Sequence, residues 1–242
     1  MNSRYLVAHR GLMAHYPENT LLALSEALQV GSTFIECDVQ LSRDHMPMVI
    51  HDADLIRTTG QLGSVFDYDE QQLRSYSAGY HERFGKQFFD QTIPSLSDVV
   101  VLLKQWPLAK AFVELKRHSL KQWGRELVLQ QVMAVLRPIQ SQAILISFDY
   151  EVLVLAKERG AAQIGWVIER WDEQSRAMAQ QLQPDYLFGN YDKLPNRESD
   201  FWSGPWQWVI YDVVDLSIAA ELVKLGVMVE SKDIKTLIEA GV

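Results

Sequence analysis

Short β-type runs alternate with longer helix-type stretches along almost the whole 242-residue chain, and that rhythm restricts it to the α/β class. The strand-like runs fall at 5–9, 33–39, 48–51, 111–116, 143–148, 163–168, 185–188, 208–211 and 227–230. That is one run too many for an eight-stranded barrel. Between Val39 and Met48, however, there is no room for a crossover helix, since a parallel connection needs about 10–12 residues. The run 48–51 is therefore read as the return arm of a hairpin, which leaves eight βα units. The expectation is a (β/α)8 TIM barrel forming a single domain over 1–242, a size close to the usual ~250 residues. An open doubly wound sheet is the runner-up.

Helical periodicity supports this reading. The stretch 20–30 puts Leu21, Leu24, Ala27 and Leu28 on one stripe, and 120–136 and 218–225 behave in the same way. Pro17 and Glu18 suit the first turn of the first helix, where a missing N–H is tolerated and a negative charge is favourable. One stretch breaks the rhythm. Residues 52–92 are polar, with a weak helical segment at 70–76, and read as a small insertion between the hairpin and a helix beginning near Ser95. Excursions of that length tend to be lids or binding elements, with a disordered surface loop as the alternative.

Composition narrows the function. A formal net charge of −8 without a basic run is unsuited to gripping a nucleic-acid backbone, so bound phosphate must be handled locally. Cys37 is the only cysteine, which excludes an internal disulfide and a thiolate zinc cluster. The N-terminal apolar stretch is too short for a secretory leader, and no window approaches the ~20 apolar residues of a spanning helix. A cytoplasmic enzyme is the expectation. Closed barrels associate through surface patches, so a homo-oligomer is compatible with the sequence.

The candidate chemistry lies at strand ends. Side chains alternate faces along a strand, so Glu36 and Asp38 point one way and Cys37 the other. Glu114 and Lys116 likewise share a face, with Val113 and Leu115 turned toward the helices. Burying such carboxylates is costly unless a cation compensates. Three of them form an all-oxygen site for a hard divalent ion, Mg²⁺ or Ca²⁺, with Mn²⁺ also compatible. The alternative is that they are salt-bridge partners of Arg10 and Lys116 at a barrel rim. His9 ends the first strand and His51 the hairpin; together they fit a general acid and general base flanking a phosphorus atom. Arg10 offers a planar fork for phosphate oxygens and Lys116 a point charge. His15, His45, His81 and His118 read as surface or loop residues.

The ordered runs His9-Arg10-Gly11, Pro17-Glu18-Asn19-Thr20, ECDVQLSRD at 36–44 and VIHDADLIRTTG at 49–60 closely resemble glycerophosphodiester phosphodiesterases, of the bacterial cytosolic type. IPSL at 93–96, ELK at 114–116 and ISF at 146–148 extend the resemblance, which thins after Tyr150. It implies a barrel, a divalent metal, and hydrolysis of small glycerophosphodiesters to sn-glycerol 3-phosphate and an alcohol. By position, Glu36, Asp38 and Glu114 match the family's metal ligands, and His9 and His51 its acid–base pair. Arg10 and Lys116 match phosphate contacts, and 52–92 matches the insertion. Glu18 supports the site from close range, Asn19 serves the same motif or caps the following helix, and Phe148 resembles a substrate-side wall.

The chain also departs from that pattern. The turn after the metal strand reads Ser42-Arg43-Asp44-His45, with His45 where glycine is usual, which points to an altered hairpin. Tyr211-Asp212-Val213-Val214 replaces the usual W-T-V-N, and Ser231-Lys232 the final T-D, so the rim that reads the alcohol group differs. Two other functions stay open at this stage. One is a phospholipase-like phosphodiesterase acting on lysophospholipids or phosphoinositides, with Phe84, Phe88 and Phe89 as an apolar surface. The other is a catalytically silent barrel that binds phosphate esters. Trp202, Trp206 and Trp208 read as packing.

Overall fold

The structure, a computed structural model, describes residues 3–194 and 201–242. Its strands are β1 (Leu6–Ala8), β2 (Phe34–Leu41), β3 (Pro47–Val49), β4 (Lys110–Leu115), β5 (Ala143–Ser147), β6 (Ile164–Val167), β7 (Tyr186–Asn190), β8 (Gln207–Tyr211) and β9 (Met228–Ser231). They pair in the order β1-β9-β8-β7-β6-β5-β4-β2, and a β1–β2 pairing closes the ring. All pairings within that ring are parallel. β3 stands outside it, antiparallel to the end of β2 with Val39 opposite Val49, as the short gap requires. The fold is the eight-stranded parallel barrel, and the open sheet is set aside because β1 and β2 meet.

Strand alternation sorts the side chains into two cores. Ile35, Cys37, Val39, Val113 and Leu115 face the helices in the outer core. Val7, Phe112, Ile144, Ile146, Val167, Phe188, Val209 and Met228 fill the barrel interior. On five of the strands the next inward position, one layer toward the C-terminal end, lines a cavity there: His9 beyond Val7, Glu114 beyond Phe112, Phe148 beyond Ile146, Tyr211 beyond Val209 and Glu230 beyond Met228. That end is where barrel enzymes place their sites.

Three local expectations need correction. The stretch 120–136 is not one helix but two, Arg117–Trp123 and Arg125–Leu136, broken where Gly124 adopts φ +83°. Pro17 and Glu18 precede the first helix, Leu21–Gln29, and do not lie in its first turn. Thr20 is the N-cap, accepting from the Ala23 N–H, so the cap is not Asn19. His45 takes φ +63°, a conformation glycine adopts readily, and packs edge-on against Trp123.

Residues 52–92 form short turns, Ile56–Thr59, Val65–Asp67, Glu70–Leu73 and His81–Phe84, over a small core. Leu55, Val65, Leu73 and Ala78 pack there on Met48, Ile50 and Ile93. The three phenylalanines form no common open surface. Phe88 is buried against Phe84 and Tyr16, and Phe89 is exposed. The tryptophans do pack: Trp206 and Trp208 both donate to the Trp202 carbonyl, and Trp171 stacks on Trp208 at 4.7 Å. Among the described residues no helix is long and apolar enough to cross a membrane.

Candidate active site

A cavity of about 170 Å³ opens at the C-terminal end of the barrel and is lined by His9, Arg10, Glu36, His51, Glu114, Lys116, Phe148, Tyr211, Asp212 and Glu230. A larger hollow of about 420 Å³ lies near the opposite end, beside Ala143 and Gln163 where β5 and β6 begin. The chemistry-bearing residues are at the smaller one.

The turn after β1 shapes one wall. Arg10 has φ +52°, Gly11 φ +80° and Asn19 φ +58°, a tight reversal that folds the chain back on itself. A Cβ on Gly11 would come within 2.5 Å of the Ala23 carbonyl carbon, so only glycine fits that approach. The strained backbone of Arg10 directs its N–H to Glu36 Oε2 at 2.9 Å. Its side chain reaches Asp38 Oδ2 through Nε at 3.1 Å and Glu18 Oε1 through Nη1 at 2.8 Å.

Asp38 is the most heavily engaged carboxylate. Oδ2 faces Arg10 and accepts from Asn19 Nδ2 at 2.8 Å, and Oδ1 lies 3.2 Å from Lys116 Nζ. Lys116 also reaches Glu114 Oε1 at 2.9 Å. Burial opposes ionisation of Asp38, but Lys116 and Arg10 outweigh it and hold this carboxyl well below the usual range. Its neighbours behave in the opposite way. Burial, together with Asp38, Glu230 and Glu114, pushes Glu36 well up, and Glu36 Oε1 is buried without a hydrogen-bond partner. Burial raises Glu114 to about 7 despite Lys116.

Sequence reasoning missed Glu230. It is 4% exposed, 3.5 Å from His9 Nε2, and pushed well up by burial and by Glu114. The signal is present in part: run 227–230 has a strand pattern, and the register pairs the inward-facing Val7 with Glu230. Ligand atoms of Glu36, Asp38 and Glu114 lie within 4.8 Å of one another, as do those of His9, Glu36 and Glu230.

Both histidines reach the cavity. Burial, then Arg10, depresses His9 to about 3, so its imidazole is neutral. His51 is lowered chiefly by burial, and its Nδ1 lies 2.6 Å from Asp52 Oδ1. Phe148 forms part of the far wall, with Arg117 over its ring at 5.0 Å. Glu18 lies outside the cavity lining and acts on Arg10 from behind. The other histidines sit elsewhere: His15 pairs with Asp233, His81 packs against Phe89, and His118 is exposed.

Comparison with known proteins follows this geometry. Residues 9–227 match the glycerophosphoryl diester phosphodiesterase family. The chain belongs to that family. It is 35% identical over 150 residues to a glycerophosphodiester phosphodiesterase of Bacillus altitudinis, covering 62% of this chain and 60% of that protein. The chain thus spans about three-fifths of the length of the curated relatives it first matches. Among solved structures, a phosphodiesterase of Oleispira antarctica in complex with the product sn-glycerol-3-phosphate has a TM-score of 0.85 at 25% identity, covering 97% of this chain and 95% of that one. A glycerophosphodiester phosphodiesterase of Agrobacterium tumefaciens shares the fold, with a TM-score of 0.78 at 23% identity over 97% and 98% of the two chains.

Proposed function

We propose that this glycerophosphodiester phosphodiesterase family member hydrolyses small glycerophosphodiesters to sn-glycerol 3-phosphate and an alcohol, with a divalent ion and two histidines. One observation carries the reading. A single cavity joins buried carboxylates, two fixed cations and two imidazoles, a set suited to general acid–base cleavage of a phosphodiester.

The donor set fits a hard divalent ion such as Mg²⁺ or Ca²⁺. Glu36 has a buried oxygen without a donor, Glu114 titrates near 7, and Asp38 Oδ1 faces the Lys116 ammonium as an ion pair at 3.2 Å. Glu36, Asp38 and Glu114 would hold the ion, which supplies Lewis-acid charge for the non-bridging phosphate oxygens. Arg10 and Lys116 bind those oxygens, the first as a fork and the second as a point charge. One imidazole takes the proton of the attacking hydroxyl, which is either a water or the substrate's own glycerol 2-hydroxyl; the latter gives a cyclic phosphate that water then opens. The other, entering the step as imidazolium, protonates the departing alkoxide. His51 suits such work because Asp52 fixes its Nδ1 and leaves Nε2 as the free ring nitrogen. Phe148 and Tyr211 supply aromatic parts of the wall.

The decisive measurement is a product assay with glycerophosphocholine, glycerophosphoethanolamine and lysophosphatidylcholine, each with and without EDTA. Glycerol 3-phosphate should appear from the first two and vanish on chelation. Chelation-resistant turnover would remove the metal. Cleavage of lysophosphatidylcholine alone would favour the phospholipase reading, and no turnover of any of them the silent barrel.

A further inference from the structure

We propose that Arg57 is a positioning residue of this centre: one guanidinium sets the tautomer of His51 through Asp52 and the aim of Arg10 through Glu18. The inference rests on the catalytic reading above and gives the segment 52–92 a part in the site beyond the Asp52 contact to His51.

Arg57 lies on the helical turn Ile56–Thr59, outside the cavity lining. Its Nε donates to Asp52 Oδ2 at 2.5 Å, its Nη1 to Glu18 Oε2 at 2.7 Å and its Nη2 to Glu18 Oε1 at 2.9 Å. All three nitrogens of the fork are therefore engaged at once, a geometry an ammonium cannot copy. The Tyr80 ring lies 5.4 Å from the guanidinium carbon.

From there the contacts run in two directions. The second oxygen of Asp52 holds His51 Nδ1 at 2.6 Å, so the proton of the neutral ring belongs on Nδ1. Glu18 is 5% exposed, and its Oε1 accepts from both Arg57 Nη2 and Arg10 Nη1. Without Arg57, Glu18 would be free to pivot about Arg10, and Asp52 to rotate away from the imidazole. The two groups set to meet the phosphate and its proton are thereby tied to one side chain that touches neither.

A network that merely clamps 52–92 onto the barrel would use the same contacts, so the test must read positioning itself. Histidine-¹⁵N-labelled wild type, Arg57→Lys and Arg57→Ala are compared by NMR for the His51 tautomer and by calorimetry for binding of glycerol 3-phosphate and of Mn²⁺. Both variants should mix the His51 tautomers, weaken glycerol 3-phosphate and lower kcat by about 10–100-fold, with Mn²⁺ affinity held within a few-fold. Free guanidinium, but not methylammonium, should restore part of kcat to Arg57→Ala. A folded Arg57→Lys with wild-type tautomer, phosphate affinity and turnover overturns the proposal. So does a loss of kcat with tautomer and phosphate affinity unchanged, which would show a structural role. Should the wild type hydrolyse no glycerophosphodiester, the functional reading falls, while the tautomer and phosphate measurements still decide whether Arg57 positions these groups.

Discussion

Asn19 holds Asp38 at two points, its Nδ2 donating to Oδ2 at 2.8 Å and its Oδ1 accepting from the Asp38 N–H at 3.1 Å. Both residues are buried, and Asn19 adopts φ +58°, a conformation asparagine tolerates better than most residues. The pair locks the acidic strand end to the turn that carries Arg10. Asn19→Ala loses both bonds and strains the backbone, so a thermal or urea melt should show a loss of about 1–3 kcal/mol. Asn19→Gly relieves the φ strain but not the lost bonds. It should recover part of the stability and little of the turnover. Equal stability for Ala and Gly would mean that backbone strain has no part in the cost.

Gly11→Ala tests the same turn from the other side. A positive φ and a 2.5 Å approach to the Ala23 backbone leave no room for a methyl group. The expected loss is about 2–4 kcal/mol by denaturant titration, with weaker metal binding because Arg10 and Glu36 separate.

Metal affinity should depend on pH in a defined window. Glu114 titrates near 7, and Glu36 is also pushed well above the ordinary carboxylate range. An ion must displace those protons, so Mn²⁺ affinity should fall as pH drops below about 7. Calorimetry near pH 6 in buffers of different ionisation enthalpy should reveal proton release. Identical heats in all buffers would contradict the raised values.

The same shift has a consequence for the metal-free protein. A carboxyl whose folded pKa lies above its unfolded value of about 4.3 stabilises the fold at low pH and loses that contribution as pH rises through the folded value. In EDTA, wild type should therefore lose stability relative to Glu114→Gln between pH 5 and pH 8, as ~4.3 and about 7 bracket the titration. The difference in melting temperature between the two proteins isolates this group from the opposing histidines. A difference constant with pH would show that Glu114 titrates normally.

His9→Ala and His51→Ala should each lose orders of magnitude in turnover, about 10²–10⁴-fold, as expected on removal of a general acid or base. Neither belongs to the group formed by Glu36, Asp38 and Glu114, so Mn²⁺ binding should persist in both. Near-normal turnover in either variant would remove that histidine from the mechanism. Glu230→Gln should weaken the ion instead, since Glu230 offers a carboxylate oxygen within 4.8 Å of a Glu36 ligand atom.

Much of this was legible in the chain because it depends on local periodicity. Alternation at 34–41 and 110–115 oriented Glu36, Asp38 and Glu114 inward before any coordinate, and the short gap after Val39 identified β3 as a hairpin arm. Gly124 is harder to read: a single glycine inside an apolar periodic stretch is tolerated in many helices, and here it leaves the helical region at φ +83°.

The sequence by itself determined the eight βα units, the hairpin and which face of each strand carries charge, because those follow from side-chain period and connection length. The β1–β2 pairing then closed the ring. Only the tertiary structure decided who pairs with whom. Glu230 meets His9 because closing the ring brings β9 beside β1, and Arg57 meets Glu18 across 39 positions of sequence. Such partners depend on register and loop path, which no local pattern encodes, and they set the charge state of each group in the cavity.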